Sequence, residues 1–318
     1  MAVKTRHRLS LPRRAVASEP WYRRKELHLV VGILVAFLTV GFASQRATDG
    51  ARTALDARLL NAGAGADAGL VGVESEQLSA VRAIAFTQGV AQALEANDGP
   101  ALNTLVAPLH ANSTVPMVDM VLPNGRVVLA VRSKGAPAPV RTRAGLLALT
   151  QALQRADGSR GGRLSELVVF RSGPTLLTIS AVMKGTTPVG AVLAMTPLAN
   201  VLGRLSQEVG ADLTAYDSDG RPVATTAAFA PQPTGSDTAR ALMGGGATVT
   251  RYVFADHREQ LGRLIVDHTP NAVLGVSLED DSNVTGRIVA IYAAIGLLCT
   301  VLILATFWAR VAIEQRRR

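Results

Sequence analysis

The run VPMVDMVLPNGRVVLAVR, residues 115–132, decides the fold. Two apolar segments flank Pro123-Asn124-Gly125-Arg126, and Asn-Gly between such segments is a strong local signal for a β-hairpin. A second run, ADLTAYDSDGRPVATT at 211–226, places Asp219-Gly220 in the same role 95 residues after Asn124-Gly125. Working outward, the first hairpin is followed by a loop at 134–143 and a helix, LLALTQALQR. The segment DGSRGGR closes that helix, and three strands follow: LVVFRSG, TLLTISAVM and VGAVLAM. LANVLGRLSQEVG, with apolar residues every three or four positions, is a helix leading to the second hairpin. Beyond it the reading is a helix-poor loop, a glycine run at 244–246 and three strands, ATVTRYVFA, EQLGRLIVDH and AVLGVSLE. The order helix, hairpin, helix, three strands thus recurs in reduced form. Helices and strands are not in βαβ alternation, so the expected class is α+β with two small antiparallel sheets.

Upstream, residues 46–96 are Ala-rich, with Leu55, Leu59, Leu78, Val81, Ile84, Phe86, Val90 and Leu94 at helical spacing. This predicts a long amphipathic helix. Gly63, Gly65, Gly69 and Gly72 weaken its middle, each costing about 1 kcal/mol against alanine, and a kink or break is expected there. Asn97-Asp98-Gly99-Pro100 is a turn, and Pro100 suits the first position of a new helix, ALNTLVAPLH.

The chain has 318 residues, 48% hydrophobic and 18% charged, which excludes a disordered polymer. One cysteine excludes an internal disulfide and any all-cysteine zinc site. The net charge of +9 sits in residues 1–26 (+6) and 310–318 (+3), and the intervening 283 residues are neutral. A nucleic-acid-binding domain would carry that charge on a folded face. Here each basic tail abuts an uncharged apolar run, LHLVVGILVAFLTVGFAS at 27–44 and IVAIYAAIGLLCTVLILATFWA at 288–309. Both approach the ~20 residues needed to cross a bilayer, with Trp21, Tyr22, Tyr292 and Trp308 near their ends. Nine basic residues near the spans lie on the tail side and four on the other. Both tails are therefore expected in the cytoplasm and the middle outside. Gly41-Phe42-Ala43 has the form of a signal-peptidase site, but a 26-residue basic lead favours a retained anchor. The expected layout is a basic tail (1–26), a transmembrane helix (27–44), an extracytoplasmic region (45–286), a second transmembrane helix (287–309) and a short basic tail (310–318).

In this arrangement the chain resembles the double Cache family, tandem PAS-like sensor modules held outside the membrane. The resemblance rests on the opening span, the helix running to SAVRAIAFTQGVAQALEANDGPALNTLVAPL, and the two hairpins VDMVLPNGRVVLAV and ADLTAYDSDGRPVATT. LGRLIVDHTPNAVLGVSLED, leading directly into the second span, completes it. It covers about residues 27–309. It implies an α+β fold in which a long N-terminal helix carries two PAS-like antiparallel-sheet modules, a distal one at about 97–196 and a proximal one at about 210–282, bracketed by two transmembrane helices. It further implies a small-molecule ligand held in the distal module between its sheet and the covering helices. After the second span comes only RVAIEQRRR. The expectation is therefore a truncated receptor, or a sensor acting through a cytoplasmic kinase, cyclase or chemotaxis-type partner. A homodimer packed along residues 46–96 is also expected. The family's amino-acid-binding branch uses aromatic residues with Arg and Asp; the distal module has Phe86 and Phe170 but no Tyr or Trp, so that ligand is not carried over.

Strand alternation singles out candidate ligand contacts. Asp119 interrupts an apolar strand, with Met117 and Val121 on its face, and Arg132 ends the next strand. Thr178 and Ser180 share one face of TLLTISAVM, and Arg171 sits at a strand end before Gly173-Pro174. Together they would offer charge and hydroxyls to a polar ligand in a mostly apolar cavity. The alternative is that Asp119 and Arg132 pair with each other or lie on a solvated edge. His257, Glu259 and His268 match no metal-ligand spacing, and Asp217-Ser218-Asp219-Gly220 suits a hairpin turn better than a calcium loop. No metal or cofactor is called for. No GxSxG, HExxH or phosphate-cradling loop is present, so an enzyme is not expected. The competing reading is a two-span structural or assembly factor whose outer domain binds a protein or an envelope polymer.

Overall fold

The computed structural model describes residues 21–133, 143–154, 163–170, 172–254, 257–280 and 282–317. They form two compact units, Thr53–Asp280 and Met1–Arg52 with Asp281–Arg318.

The helix α1, Trp21–Ala85, is unbroken over 65 residues. Within the larger unit its buried positions are Leu55, Leu59, Ala62, Ala66, Leu70, Val73, Gln77, Val81, Ile84 and Ala85. Leu55, Ala66 and Gln77 are eleven apart, as are Leu59, Leu70 and Val81, and Ala62, Val73 and Ile84. An eleven-residue period is about 3.67 residues per turn, close to that of a straight helix, so one face stays buried along the whole length. The expected interruption at the glycines does not occur. Instead, Gly65 and Gly69 form a notch: a Cβ on Gly65 would lie 3.0 Å from Val209 Cγ1, and one on Gly69 would run into Leu205 Cδ2. Close approach of another helix, not a bend, accounts for those two glycines. α1 ends where Gly89 adopts φ +89°, which leaves Phe86 exposed, not on the buried face. Two short helices follow, α2 (Val90–Glu95) and α3 (Gly99–Ala111), the latter capped by the Asp98 carboxylate accepting from Ala101 N–H at 3.0 Å.

The first sheet comprises β1 (Met117–Val121), β2 (Val127–Arg132), β3 (Arg163–Phe170), β4 (Gly173–Lys184) and β5 (Thr187–Pro197), with α4 (Arg143–Gln154) between β2 and β3. The helix α5 (Leu198–Val209) leads to the second sheet: β6 (Asp212–Tyr216), β7 (Pro222–Thr225), β8 (Val249–Phe254), β9 (His257–Val266) and β10 (Thr269–Glu279). The segment read as a helix-poor loop contains α6, Ser236–Met243. Its eight residues between Gly235 and Gly244 are too few to show a helical period. The strand orders are β2-β1-β5-β4-β3 and β7-β6-β10-β9-β8, antiparallel throughout, so the second sheet repeats the first. Both hairpins turn on a glycine at positive φ, Gly125 (+82°) and Gly220 (+76°), and both carry a register shift at the end of the first strand.

Each sheet is covered on both faces. Val118, Met120, Val182, Val192 and Ala194 of the first sheet pack with the end of α1, α2 and α3, while Met117, Val121, Leu177, Ile179 and Met195 pack with α4. In the second sheet Leu213, Ala215, Leu264, Leu274 and Val276 pack with α1 and α5; Tyr216, Leu261 and Val273 pack with α6. Arg204 on α5 reinforces this packing, donating to both carboxylate oxygens of Glu76 on α1 at 2.7 and 2.9 Å.

In the smaller unit, α7 (Ser282–Arg317) contains Val284–Arg310, long and apolar enough to cross a membrane, with mean hydropathy 2.7 and none of it buried. It is the one such stretch among the described residues. The α1 portion of this unit also presents apolar surface, including Leu34, Phe37, Leu38 and Phe42. The two helices meet at Gly286: Ser44 Oγ donates to its carbonyl at 3.3 Å, and a Cβ there would lie 2.6 Å from Thr48 Oγ1.

The notch predicts opposite effects for two glycines of one helix. Gly69→Leu is expected to destabilise by about 1–3 kcal/mol through overpacking against Leu205. Gly72→Ala, which meets nothing within 4 Å, is expected to stabilise by about 0.5–1 kcal/mol. Chemical unfolding of the two variants checks this, and equal stabilities would place the α1–α5 contact elsewhere.

Candidate ligand-binding site

Asp119 lies on β1 between Met117 and Val121, on the face covered by α4, and is 6% exposed. Arg132 stands opposite Met117 in the β1–β2 ladder and therefore shares that face. Its Nη2 meets Asp119 Oδ1 at 2.5 Å, and its Nη1 donates to the carbonyls of Val118 (3.2 Å) and Val131 (2.9 Å). The guanidinium side chain is 23% exposed, so the pair runs from the interior to the surface. A buried carboxylate is tolerated here because a charged donor meets it; removing one partner of such a pair typically costs about 3–5 kcal/mol.

Thr178 and Ser180 are both buried, but they lie on the other face of the sheet. Their neighbours Leu177 and Ile179 point toward α4, so strand alternation turns the two hydroxyls toward α1. Thr178 Oγ1 donates to Gln77 Oε1 at 2.8 Å and lies 3.2 Å from Ser165 Oγ; Gln77 Nε2 donates to Thr196 Oγ1 at 2.7 Å. The four described candidates therefore divide into two groups, an ion pair under α4 and two hydroxyls beneath α1. Arg171 lies outside the described residues. Phe170 is buried under α4, and Phe86 is exposed.

Sequence reasoning missed a polar cluster in the second sheet. Strand register places Tyr216 where the first sheet has Val121, Glu259 where it has Leu177, Arg251 where it has Glu166, and Gly275 where it has Leu193. Tyr216 OH donates to Glu259 Oε1 at 2.6 Å, and Arg251 Nε donates to Glu259 Oε2 at 2.8 Å. Arg251 Nη2 also donates to Tyr216 OH at 3.1 Å, and the guanidinium holds the carbonyls of Gln232 (2.6 Å) and Pro233 (2.8 Å). Gly275 makes room: a Cβ there would collide with the Glu259 carboxylate and the Tyr216 ring. The Tyr216 phenol is pushed well above its usual value, first by burial and then by the Glu259 charge. The available signal was Glu259 inside an apolar strand, with Arg251 opposite it once the strands are registered. Of the other residues weighed in the sequence, His257 packs against Phe229 with ring centroids 4.7 Å apart. The Asp217 carboxylate accepts from the N–H groups of Asp219 (3.0 Å) and Arg221 (2.8 Å), as a hairpin turn requires.

No protein-family model and no curated protein matches the chain. Among solved structures it is similar to sensory domains of bacterial receptors. The periplasmic domain of Vibrio cholerae LuxQ shares 12% identity, over 68% of this chain and 95% of that one, at a TM-score of 0.44. The ligand-binding domain of a Campylobacter jejuni chemoreceptor in complex with L-valine shares 12%, over 74% and 96%, at 0.46. An extracellular ligand-binding receptor from Desulfohalobium retbaense shares 12%, over 67% and 38%, at 0.46.

The tyrosine cluster has a definite pH signature. A folded-state phenol raised above its unfolded value of about 10 contributes stability that is present below pH ~10 and lost as pH rises toward the folded value. In an alkaline absorbance titration, one of the four tyrosines is expected to ionise only with unfolding, and Tyr216→Phe to remove that late step. The same variant leaves Glu259 Oε1 short of a donor and is expected to cost about 1–3 kcal/mol. Four tyrosines titrating together below the unfolding pH would contradict this.

Proposed function

We propose that the chain is a membrane-anchored extracytoplasmic sensor of a small molecule, signalling through the membrane to a cytoplasmic partner of kinase, cyclase or chemotaxis type. The observation that carries this reading is the construction of the larger unit. Two sheets of one strand order share one covering helix, and the last strand, β10, ends at Glu279, three residues before the apolar helix α7 begins at Ser282. The resemblance to the double Cache family in hairpins and element order supports the same reading. In this layout 27–44 and 287–309 are spans, 45–286 lies outside, and the basic tails 1–26 and 310–318 lie inside.

The ligand contacts belong to the distal sheet beneath α4, where Asp119 and Arg132 offer opposite charges beside an apolar surface. Thr178 and Ser180 act from the opposite face, where Thr178 links that sheet to α1 through Gln77. Ligand binding drives a signal only through a difference in affinity between two arrangements of the module.

The active form is a homodimer. Ala57, Ala68, Val71 and Ser75 are all exposed and lie on the side of α1 opposite its buried stripe. Small residues there let a second α1 approach closely. In a Cys299→Ala background, Ala68→Cys is expected to crosslink two chains in membranes, and Gln92→Cys, exposed on α2, to do so far less. Equal crosslinking at both positions, or none at either, would remove the dimer.

Ligand binding is tested with the purified full-length chain by thermal shift against organic acids, polyamines, nucleobases and amino acids. A ligand at 100 times its Kd stabilises by about 2.7 kcal/mol. At roughly 2–4 °C per kcal/mol, the expected shift is about 5–10 °C. Asp119→Asn and Arg132→Gln are each expected to abolish the shift, while Glu76→Gln keeps it. A well-folded chain silent to the whole panel would favour the protein- or polymer-binding alternative.

A further inference from the structure

One turn of α1 is hydrogen-bonded to both modules. Glu76 accepts from Thr114 Oγ1, just before β1, at 3.1 Å, and Gln77 bonds Thr178 of β4 and Thr196 of β5. In the same turn Glu74 meets the second sheet, its Oε1 accepting from the Asp267 N–H at 3.2 Å. Among the described residues this is the one hydrogen bond of the Glu74 side chain, and no salt bridge holds it.

The segment that Glu74 meets is a strained one. Asp267 and His268 are the two residues between β9 and β10, and both have positive φ, +46° and +64°. A two-residue hairpin of this kind requires that backbone at both positions and is ordinarily built from Asn and Gly. Side chains other than glycine persist there only where their surroundings hold them. The turn also leaves the Asp267 N–H outside the strand ladder, so the carboxylate from α1 supplies its partner.

Three titratable groups therefore meet at this joint: Glu74 of α1, and Asp267 and His268 of the turn. Burial is the first cause that raises the Glu74 carboxyl above its usual range; the Asp267 N–H opposes this, the Asp267 charge adds to it, and His268 opposes it. A protonated Glu74 keeps a carbonyl oxygen for the Asp267 N–H and loses the charge that Asp267 repels. The direction of the pH effect follows. A carboxyl raised in the folded state above 4.5 contributes stability that is fully present below about pH 4.5 and is lost as pH rises through the folded value. A histidine gains positive charge in acid, which also draws Glu74 toward the turn.

We infer that Glu74 and the Asp267-His268 turn form a pH-sensitive latch that fastens the second module to α1 more tightly in acid than at neutral pH. Because Glu76 and Gln77 bind the first module on the same helical turn, the latch sets how firmly the two modules share one helix. In the layout proposed above the latch lies outside the membrane and meets the external pH; the latch itself stands without that layout, and without regard to what the Asp119–Arg132 pair binds.

The test is hydrogen exchange by mass spectrometry on the full-length chain in lipid nanodiscs, read as the protection factor of the peptide that spans the β9–β10 turn. Protection factors are corrected for the pH dependence of intrinsic exchange, and melting curves at both pH values establish that each variant is folded. In the wild-type chain, protection is expected to rise about threefold or more between pH 7.5 and pH 4.5. Glu74→Gln, which keeps the acceptor without the charge, is expected to be protected at both pH values as the wild type is in acid. Glu74→Ala, which has no acceptor, is expected to be weakly protected at both. His268→Asn, a substitution that suits positive φ, is expected to retain the pH response. A wild-type turn equally protected at both pH values, or less protected in acid, overturns the inference. So does a response that persists in Glu74→Gln, or one that disappears in His268→Asn.

Discussion

Burial of one face of α1 is the constraint on which the larger unit depends. Neither sheet is closed on that side without it: the α1 residues from Leu55 to Val73 cover the second sheet, and those from Val81 to Ile84 cover the first. A heptad pattern would wind the buried face around the helix axis over this distance, whereas the eleven-residue pattern keeps it facing one way. The pattern also explains the choice of residue size. Ala62 and Ala66 are the small buried residues of the stripe and Leu55, Leu59 and Leu70 the large ones, while Gly65 and Gly69 occur where α5 packs against the helix. The destabilisation that glycine brings to a helix interior, about 1 kcal/mol each, is offset by the packing of Leu205 and Val209 that the notch admits.

On that common frame the two modules have diverged in their interiors. Both present an inner face to a short helix, α4 or α6, and the backbone registers correspond residue for residue across three strands. The first face is largely apolar, with the Asp119–Arg132 pair, Glu166 and Thr175 as its polar members. The second is filled by Tyr216, Glu259 and Arg251, with Gly275 cut back to admit them. Arg251 joins that cluster to the Gln232 and Pro233 carbonyls, so the chain before α6 is held by the sheet's own core. That face is occupied by the protein's own side chains. That physical difference is why the ligand reading attaches to the first module's α4 face and not to the second module's α6 face.

Much of this was legible in the sequence, for identifiable reasons. The hairpins were marked by Asn124-Gly125 and Asp219-Gly220, whose glycines do adopt positive φ, and the strands by their apolar alternation. The α+β class and the long helix followed from periodicity alone. What failed depended on contacts across the chain. The glycines of α1 read as a break because the sequence does not show that α5 packs against them. The helix α6 was missed because eight residues carry too little period. Thr178 and Ser180 were grouped with Asp119 because alternation within one strand does not fix which face of the sheet it shares with another strand. That assignment needs the ladder, in which Thr178 pairs with Ala194 and Asp119 with Leu193, adjacent residues of β5 that point to opposite faces.

That separation of faces gives the first sheet a mechanical property. Gln77 is the one polar residue in the buried stripe of α1, and its amide joins Thr178 on β4 to Thr196 on β5. Leu177 and Ile179, either side of Thr178, rest under α4. A displacement of β4 from the α4 side must therefore carry Gln77 with it or break hydrogen bonds worth about 0.5–1.5 kcal/mol each, leaving buried polar atoms unmatched. An apolar residue at 77 would let helix and sheet slide with little penalty. The amide fixes their register, so the polar residue in the stripe couples a change on one face of the sheet to the helix on the other.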